Sequence, residues 1–179
     1  MIHVDTAMHV RGESLFIDDE PQPQGLLHAA VFASPISHGK VLSIETSKAR
    51  KVQGVHAILL AGDIPGENQI GNIIQDEPLL ADSDIYFIGQ PIALVIGVSP
   101  DSARAAVKSI SIEVEELPAI YEAREAFQRG DLIAPPRTFS LGDTDKAWDE
   151  CETIVKGSVD SGGQEHMYLE TQSSMAMST

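Results

Sequence analysis

Hydrophobic and polar positions along the chain fall into short blocks. Leu26–Ala33 is an apolar run closed by Ser34-Pro35 and predicts a strand. Val41–Glu45 predicts another, and Ser47 stands where it can cap a short helix through about Gln53, stopped by Gly54. Val55–Ala61 is again strand-like, which completes one strand–helix–strand unit. The second unit has a sharper pattern. Pro91–Val98 is a continuous apolar run, as in a strand buried on both faces. Ser99-Pro100-Asp101 then reads as a helix start, with Ser99 as N-cap and Pro100 in the first helical position. Ala103, Ala106, Val107 and Ile110 recur at helical spacing and make one apolar face. Ile110–Glu115 alternates and predicts a half-exposed strand. Short helices layered on a mixed sheet follow from this order, giving an α+β body.

The remaining blocks are less periodic. Met1–Gln24 reads as an irregular arm ending in a proline-stiffened turn. Gly62–Gly89 is a long connection of weak periodicity, the kind that is often functional or interface-forming. Glu122–Arg129 predicts a helix ended by Gly130, and Asp131–Ser140, with Pro135-Pro136, is the best linker. Asp145–Cys151 predicts a short helix, and Glu152–Ser161 and Met167–Thr179 predict strands. The resulting domain plan is 1–130, a linker over 131–141, and 142–179. The last residues stop inside an apolar–polar alternation, so the expectation is a fragment whose terminal strand is disordered or pairs with another copy.

Composition narrows the classes. Hydrophobic content of 42% supports a sizeable core, and a net charge of −15 argues against nucleic acid and anionic membrane surfaces as partners. Cys151 is the one cysteine, so no intrachain disulfide forms, and an iron–sulfur cluster, which usually takes four thiolates, cannot be held by this chain alone. The start lacks the basic and apolar regions of a signal peptide, and no apolar run approaches a membrane span. A cytoplasmic location is expected.

The stretch richest in chemistry is Gly162-Gly163-Gln164-Glu165-His166-Met167-Tyr168-Leu169-Glu170-Thr171-Gln172. Two glycines let the backbone adopt positive φ or pass close to a ligand. Gln164 then offers a neutral amide donor, suited to a ligand oxygen that is held without being protonated. The same residues also read as a Gly-Gly turn between strands with Gln164 solvated.

This stretch closely resembles the segment that opens the molybdenum-cofactor region of xanthine dehydrogenases. Upstream pieces resemble, in order, the preceding a/b hammerhead domain of the aldehyde oxidase and xanthine dehydrogenase family. They are HVRGESLFIDD at His9–Asp19, LLHAAVFASPISHGKV at Leu26–Val41, GVHAI at Gly54–Ile58 and DIPGEN at Asp63–Asn68. DEPLLA at Asp76–Ala81, FIGQPIALVIG at Phe87–Gly97 and GDTDKAW at Gly142–Trp148 continue the series. Met167 stands where the family commonly has an aromatic residue. The resemblance implies a hammerhead body followed by the first strands of a molybdopterin-binding domain. It implies that Gln164 reaches an oxo ligand of molybdenum, with the cofactor carrying the chemistry. The implied reaction is hydroxylation of a purine or aldehyde carbon with oxygen from water. FAD and 2Fe-2S clusters would sit on other domains or subunits, and the catalytic glutamate base and substrate pocket would lie outside this chain. The isolated piece is therefore expected to be inactive, with the rest of the molybdenum-binding chain as its partner.

Other constellations are weak. The six histidines, His3, His9, His28, His38, His56 and His166, show no zinc-ligand spacing. His28 reads as a hydrogen-bonded core residue and His166 as structural or supporting. Asp18-Asp19, Asp76-Glu77 and Asp143/Asp145 read as turn-forming or capping carboxylates rather than an acid–base pair. Cys151 reads as a small buried hydrophobe, and Trp148 and Tyr168 as packing residues. Two rival classes remain. One is a non-catalytic docking module that uses Gly62–Gly89 and its sheet edges. The other is a hydrolase using carboxylates such as Asp143 and Asp145.

Overall fold

A computed structural model of the chain describes residues 6–167 and 172–177. Two compact units separate, 22–131 and a second composed of 1–21 with 132–179. The first unit carries six strands: β1 (His28–Ala33), β2 (Gly39–Glu45), β3 (Val55–Leu59), β4 (Asp84–Ile85), β5 (Pro91–Gly97) and β6 (Ser111–Glu116). They form two three-stranded sheets, ordered β1-β5-β3 and β4-β2-β6.

Every pairing in these sheets is antiparallel, where the sequence suggested a mixed sheet. The reason lies in the connections. Both predicted strand–helix–strand units are present, but each passes from one sheet to the other. β2 leads through a 3-10 turn at Ala49–Lys51 to β3, and β5 leads through the helix Pro100–Val107 to β6. A parallel pair needs a crossover that returns to its own sheet. Neither does so here, and the α+β class stands on two antiparallel layers.

The second half of this unit follows its sequence signals closely. Ser99 has extended backbone, and its Oγ accepts from the Ser102 N–H at 3.1 Å. Ser102 Oγ returns the contact by accepting from the Ser99 N–H, also at 3.1 Å, which completes a capping box. Ala103 and Ala106 are fully buried and Ile110 nearly so, packed with Ala49, Ile58, Ala93 and Val95. Small residues on the helix let it lie close to the sheet. The contact is tightest at Gly97, where a Cβ would strike Ser102 Oγ and sit 2.9 Å from the Ala103 amide nitrogen. A second cluster, Ala81, Ile85 and Ile92, fills the space towards the other sheet. Phe32 and Ile44 pack against both clusters and tie the layers together.

Elsewhere the local signals were only partly followed. Ser47 does not cap a helix. Its N–H donates to Glu45 Oε1 at 2.6 Å, and the 3-10 turn begins after Lys48. The two hydrogen bonds from Ser47, first through its N–H and then through its hydroxyl, hold the Glu45 carboxyl below the usual glutamate range. A helix at Ala123–Arg129 ends on Gly130, which takes φ 78° in the left-handed region as a C-cap glycine does.

In the unit of 1–21 and 132–179, the arm expected to be irregular contains a short helix at Thr6–Arg11 and a 3-10 turn at Ile17–Asp19. A further helix spans Thr144–Asp149, with Asp143 Oδ1 accepting from the Lys146 N–H at 3.0 Å. Glu152–Ser161, expected as a strand, is exposed and lacks regular structure. A strand needs a neighbour for its backbone groups, and none of the described residues pairs with it. The strand expected over Met167–Thr179 lies partly outside the described residues. Its described part, Met167 and 172–177, is exposed and not in a strand.

Gly97→Ala is expected to destabilise by about 1–3 kcal/mol, because the helix must move away from the sheet. Gly62→Ala, with nothing within 4 Å of its Cβ position, serves as the near-neutral control in the same urea titration. Equal midpoints for the two variants would contradict the close contact.

Candidate functional site

Two stretches merit description as candidate sites, one in each compact unit. The first is Gly162-Gly163-Gln164, which is exposed and without regular structure. A Cβ at either glycine would have nothing within 4 Å, so no described residue forms a cradle around them. Neither glycine takes positive φ, and Met167 does, at 51°. Glu165 Oε1 accepts from the Met167 N–H at 3.3 Å, a short-range turn contact. Gln164 thus presents a neutral amide, and its chemistry fits an oxygen acceptor. The described residues add no enclosure to it. Tyr168 lies outside the described residues.

The second stretch is the connection between β3 and β5, which is built more firmly than its weak periodicity suggested. Asn68 uses both ends of its amide. Its Nδ2 donates to the Leu80 carbonyl at 2.8 Å, and its Oδ1 accepts from the Leu80 N–H at 3.0 Å. The side chain thereby replaces a neighbouring strand for one residue. Gln69 Oε1 accepts from the N–H groups of Gly71 at 2.7 Å and Glu77 at 3.1 Å, and the Ile70 N–H donates to the Glu77 carbonyl at 2.8 Å. These bonds close a loop over 70–77 that leaves Ile73 95% exposed. Farther on, Gln90 is buried, and its Oε1 accepts from the Tyr86 N–H at 2.7 Å. Its backbone carbonyl accepts from the Ser34 N–H at 2.8 Å, fixing the entry to β5.

Sequence reasoning did not single out Asn68, Gln69 or Gln90. The available signal was a side-chain amide beside turn residues or at the head of an apolar run, where backbone groups need partners. These three residues are structural, since the amide oxygen of each accepts from backbone N–H groups and Asn68 also donates to a backbone carbonyl.

The other candidates separate. His9 Nδ1 lies 2.7 Å from Ser14 Oγ, and its ring stacks on Phe16 at 6.3 Å between centroids. His38 donates through Nδ1 to the Pro118 carbonyl at 2.7 Å, which fixes the Nδ1–H tautomer when the ring is neutral. His28 is half-buried in β1, and His56 and His166 are exposed. Asp19 and Asp143 accept from nearby backbone N–H groups, the capping roles their sequence positions suggest. Cys151 and Trp148 correct the sequence reading. Both are exposed, because the short helix before Cys151 has no buried residue. No group of three or more His, Cys, Asp or Glu residues suited to a metal occurs among the described residues. Nor does any helix among them have the length and apolarity to cross a membrane.

An α+β body of two antiparallel layers, followed along the chain by the exposed, irregular stretch that carries Gly162-Gly163-Gln164, defines the class of this chain. Residues 11–118 match the family described as aldehyde oxidase and xanthine dehydrogenase, a/b hammerhead domain, and residues 127–179 match the molybdopterin cofactor-binding domain. The chain is 35% identical to a xanthine dehydrogenase from Oryza sativa subsp. japonica over 98% of its own length and 13% of that protein. It is 36% identical to xanthine dehydrogenase 1 from Arabidopsis thaliana over 97% of its length and 13% of that protein. Among solved structures, the aldehyde oxidoreductase from Desulfovibrio desulfuricans superposes with a TM-score of 0.64 at 30% identity, covering 76% of this chain and 16% of that one. The chain belongs to the aldehyde oxidase and xanthine dehydrogenase family, a family of molybdopterin-dependent oxidoreductases. It spans about an eighth of the length of these curated relatives, as the 13% coverage states.

Removing the Asn68 amide leaves the Leu80 N–H and carbonyl without their partners, a cost of about 1–3 kcal/mol. Asn68→Ala is therefore expected to speed limited proteolysis within 70–77. An unchanged cleavage rate would contradict the assigned closure.

Proposed function

We propose that this chain forms the hammerhead domain and the opening segment of the molybdopterin-binding domain in a xanthine dehydrogenase-like molybdenum hydroxylase. The whole enzyme hydroxylates a purine or aldehyde carbon with oxygen taken from water. The observation that carries this reading is the order of the two family matches, 11–118 and then 127–179, along one chain. The domain plan that goes with it is 1–130 for the hammerhead, 131–141 for the linker and 142–179 for the cofactor-binding segment.

In this reading the molybdenum cofactor supplies the redox chemistry when bound. This chain contributes Gln164, whose side-chain amide donates a hydrogen bond to the cofactor and orients it without transferring a proton. The exposed, open Gly162-Gly163-Gln164 stretch is consistent with a segment whose other walls come from elsewhere in the enzyme. The residues described here offer no acid or base to the reaction, and the 179-residue piece alone is inactive. FAD and 2Fe-2S centres reside on other domains or subunits, and the enzyme is cytoplasmic. The exposed, firmly closed loop over 70–77 favours a second reading, a metal-free docking module of the same fold.

The test is the mass and molybdenum content of the natural gene product, followed by Gln164→Ala in that protein. A chain well above 19.3 kDa that carries molybdenum is expected. In it, Gln164→Ala should lower turnover about 10–100-fold, the effect typical of groups that orient a metal centre. A metal-free chain of 19.3 kDa would overturn the enzyme reading in favour of the docking module. Unchanged turnover in the variant would remove Gln164 from the site.

A further inference from the structure

Beyond β6 the ladder with β2 cannot continue. The two strands pair as far as Glu116 opposite Gly39, and the Leu117 N–H still donates to the His38 carbonyl at 2.9 Å. The next residue, Pro118, has no N–H, which ends the pairing. Two side chains of the turn before β2 then take over. His38 Nδ1 donates to the Pro118 carbonyl at 2.7 Å, and Ser37 Oγ accepts from the Tyr121 hydroxyl at 3.0 Å. These contacts join residues 80 and 84 positions apart, so no local pattern creates them.

The turn is itself held from behind. Ser34 is buried, and its Oγ donates to the Ile36 carbonyl at 2.7 Å. Its N–H donates to the Gln90 carbonyl and its own carbonyl accepts from the Gly89 N–H at 3.0 Å, which ties the turn to the entry of β5. The chain after β6 has no such anchorage in the core. None of the described residues 117–131 belongs to either core cluster, and the helix Ala123–Arg129 has no buried residue. The compact unit nevertheless runs to Asp131.

We infer that Ser37 and His38 form a clasp that fastens the exit segment 117–121 to the body and that opens locally, without the core. Through it the helix Ala123–Arg129 stays with the body, and the connection towards 142–179 starts only after Gly130. The inference concerns this body alone and does not rest on the proposed function.

The experiment uses the intact natural gene product under native conditions. Chymotryptic cleavage after residue 121 is followed by peptide mass, and each rate is normalised to that of an unstructured peptide of the same sequence. Amide exchange over residues 92–97 is read on the same samples as the measure of core opening. His38→Ala is expected to speed the cleavage about three- to tenfold, the loss of one net hydrogen bond, with exchange over 92–97 unchanged. Tyr121→Phe keeps the cleavage site, alters a residue 79% exposed, and is expected to speed cleavage about two- to fivefold. His38→Asn, whose Nδ2 can stand where Nδ1 did and still donate, is expected to return the rate to within about twofold of the natural protein. Unchanged cleavage in either His38→Ala or Tyr121→Phe overturns the clasp. So does a matching rise in exchange over 92–97, or a His38→Ala chain that does not fold, because the histidine would then be supporting the core. Failure of His38→Asn to rescue would assign His38 to packing and overturn it as well.

Discussion

The structure depends on β5 being satisfied on both edges and on the face it turns to the helix Pro100–Val107. Its edges are taken by β1 and β3, its one face by the helix Pro100–Val107, and Ile92, beside the register shift between Phe32 and Ala33, joins the cluster of Ala81 and Ile85. A strand with no polar face has no stable place at a surface. The remainder of the hammerhead body is arranged to meet that demand. The helix approaches closely because Gly97, Ala103 and Ala106 carry little or no side chain. Gln90 and Ser34 fix where the strand begins, and the Ser99 cap fixes where the chain turns away from it.

The same constraint joins the two sheets. β5 and β2 lie in different layers, and the helix and the 3-10 turn that follow them both carry the chain across to the other layer. Phe32 and Ile44, one from each sheet, touch both clusters. Burying these two side chains links the stabilities of the layers. The loop over 70–77, by contrast, is held by polar bonds from Asn68 and Gln69 and contributes its isoleucines to no core cluster.

Legibility from sequence tracked how local each cause is. β5, the capped helix after it and β6 were readable because an apolar run, a Ser-Pro start and a clean alternation each act within a few residues. The pairing of strands was not, since a period states which face a residue occupies and never which strand lies beside it. That is why an expected mixed sheet became two antiparallel ones. Asn68 and Gln69 were hidden because their partners, Leu80 and Glu77, lie too far along the chain for local pattern. Glu152–Ser161 has a strand-like composition and no neighbour among the described residues, so composition alone misled. At the candidate site, Gly-Gly before an amide was ambiguous between a turn and a ligand contact. The resemblance, rather than the spacing, singled out Gln164, and the open geometry of that stretch leaves its role as the proposal above.

The most direct test of β5 as the organising strand is native-state hydrogen exchange on the intact chain. The account predicts that the amides of Val95 and Ile96 are among the slowest to exchange, and that those of β2 facing β6 open with a similar free energy, as one cooperative body would. Amides of β5 exchanging as fast as those of the exposed 152–161 stretch would contradict it.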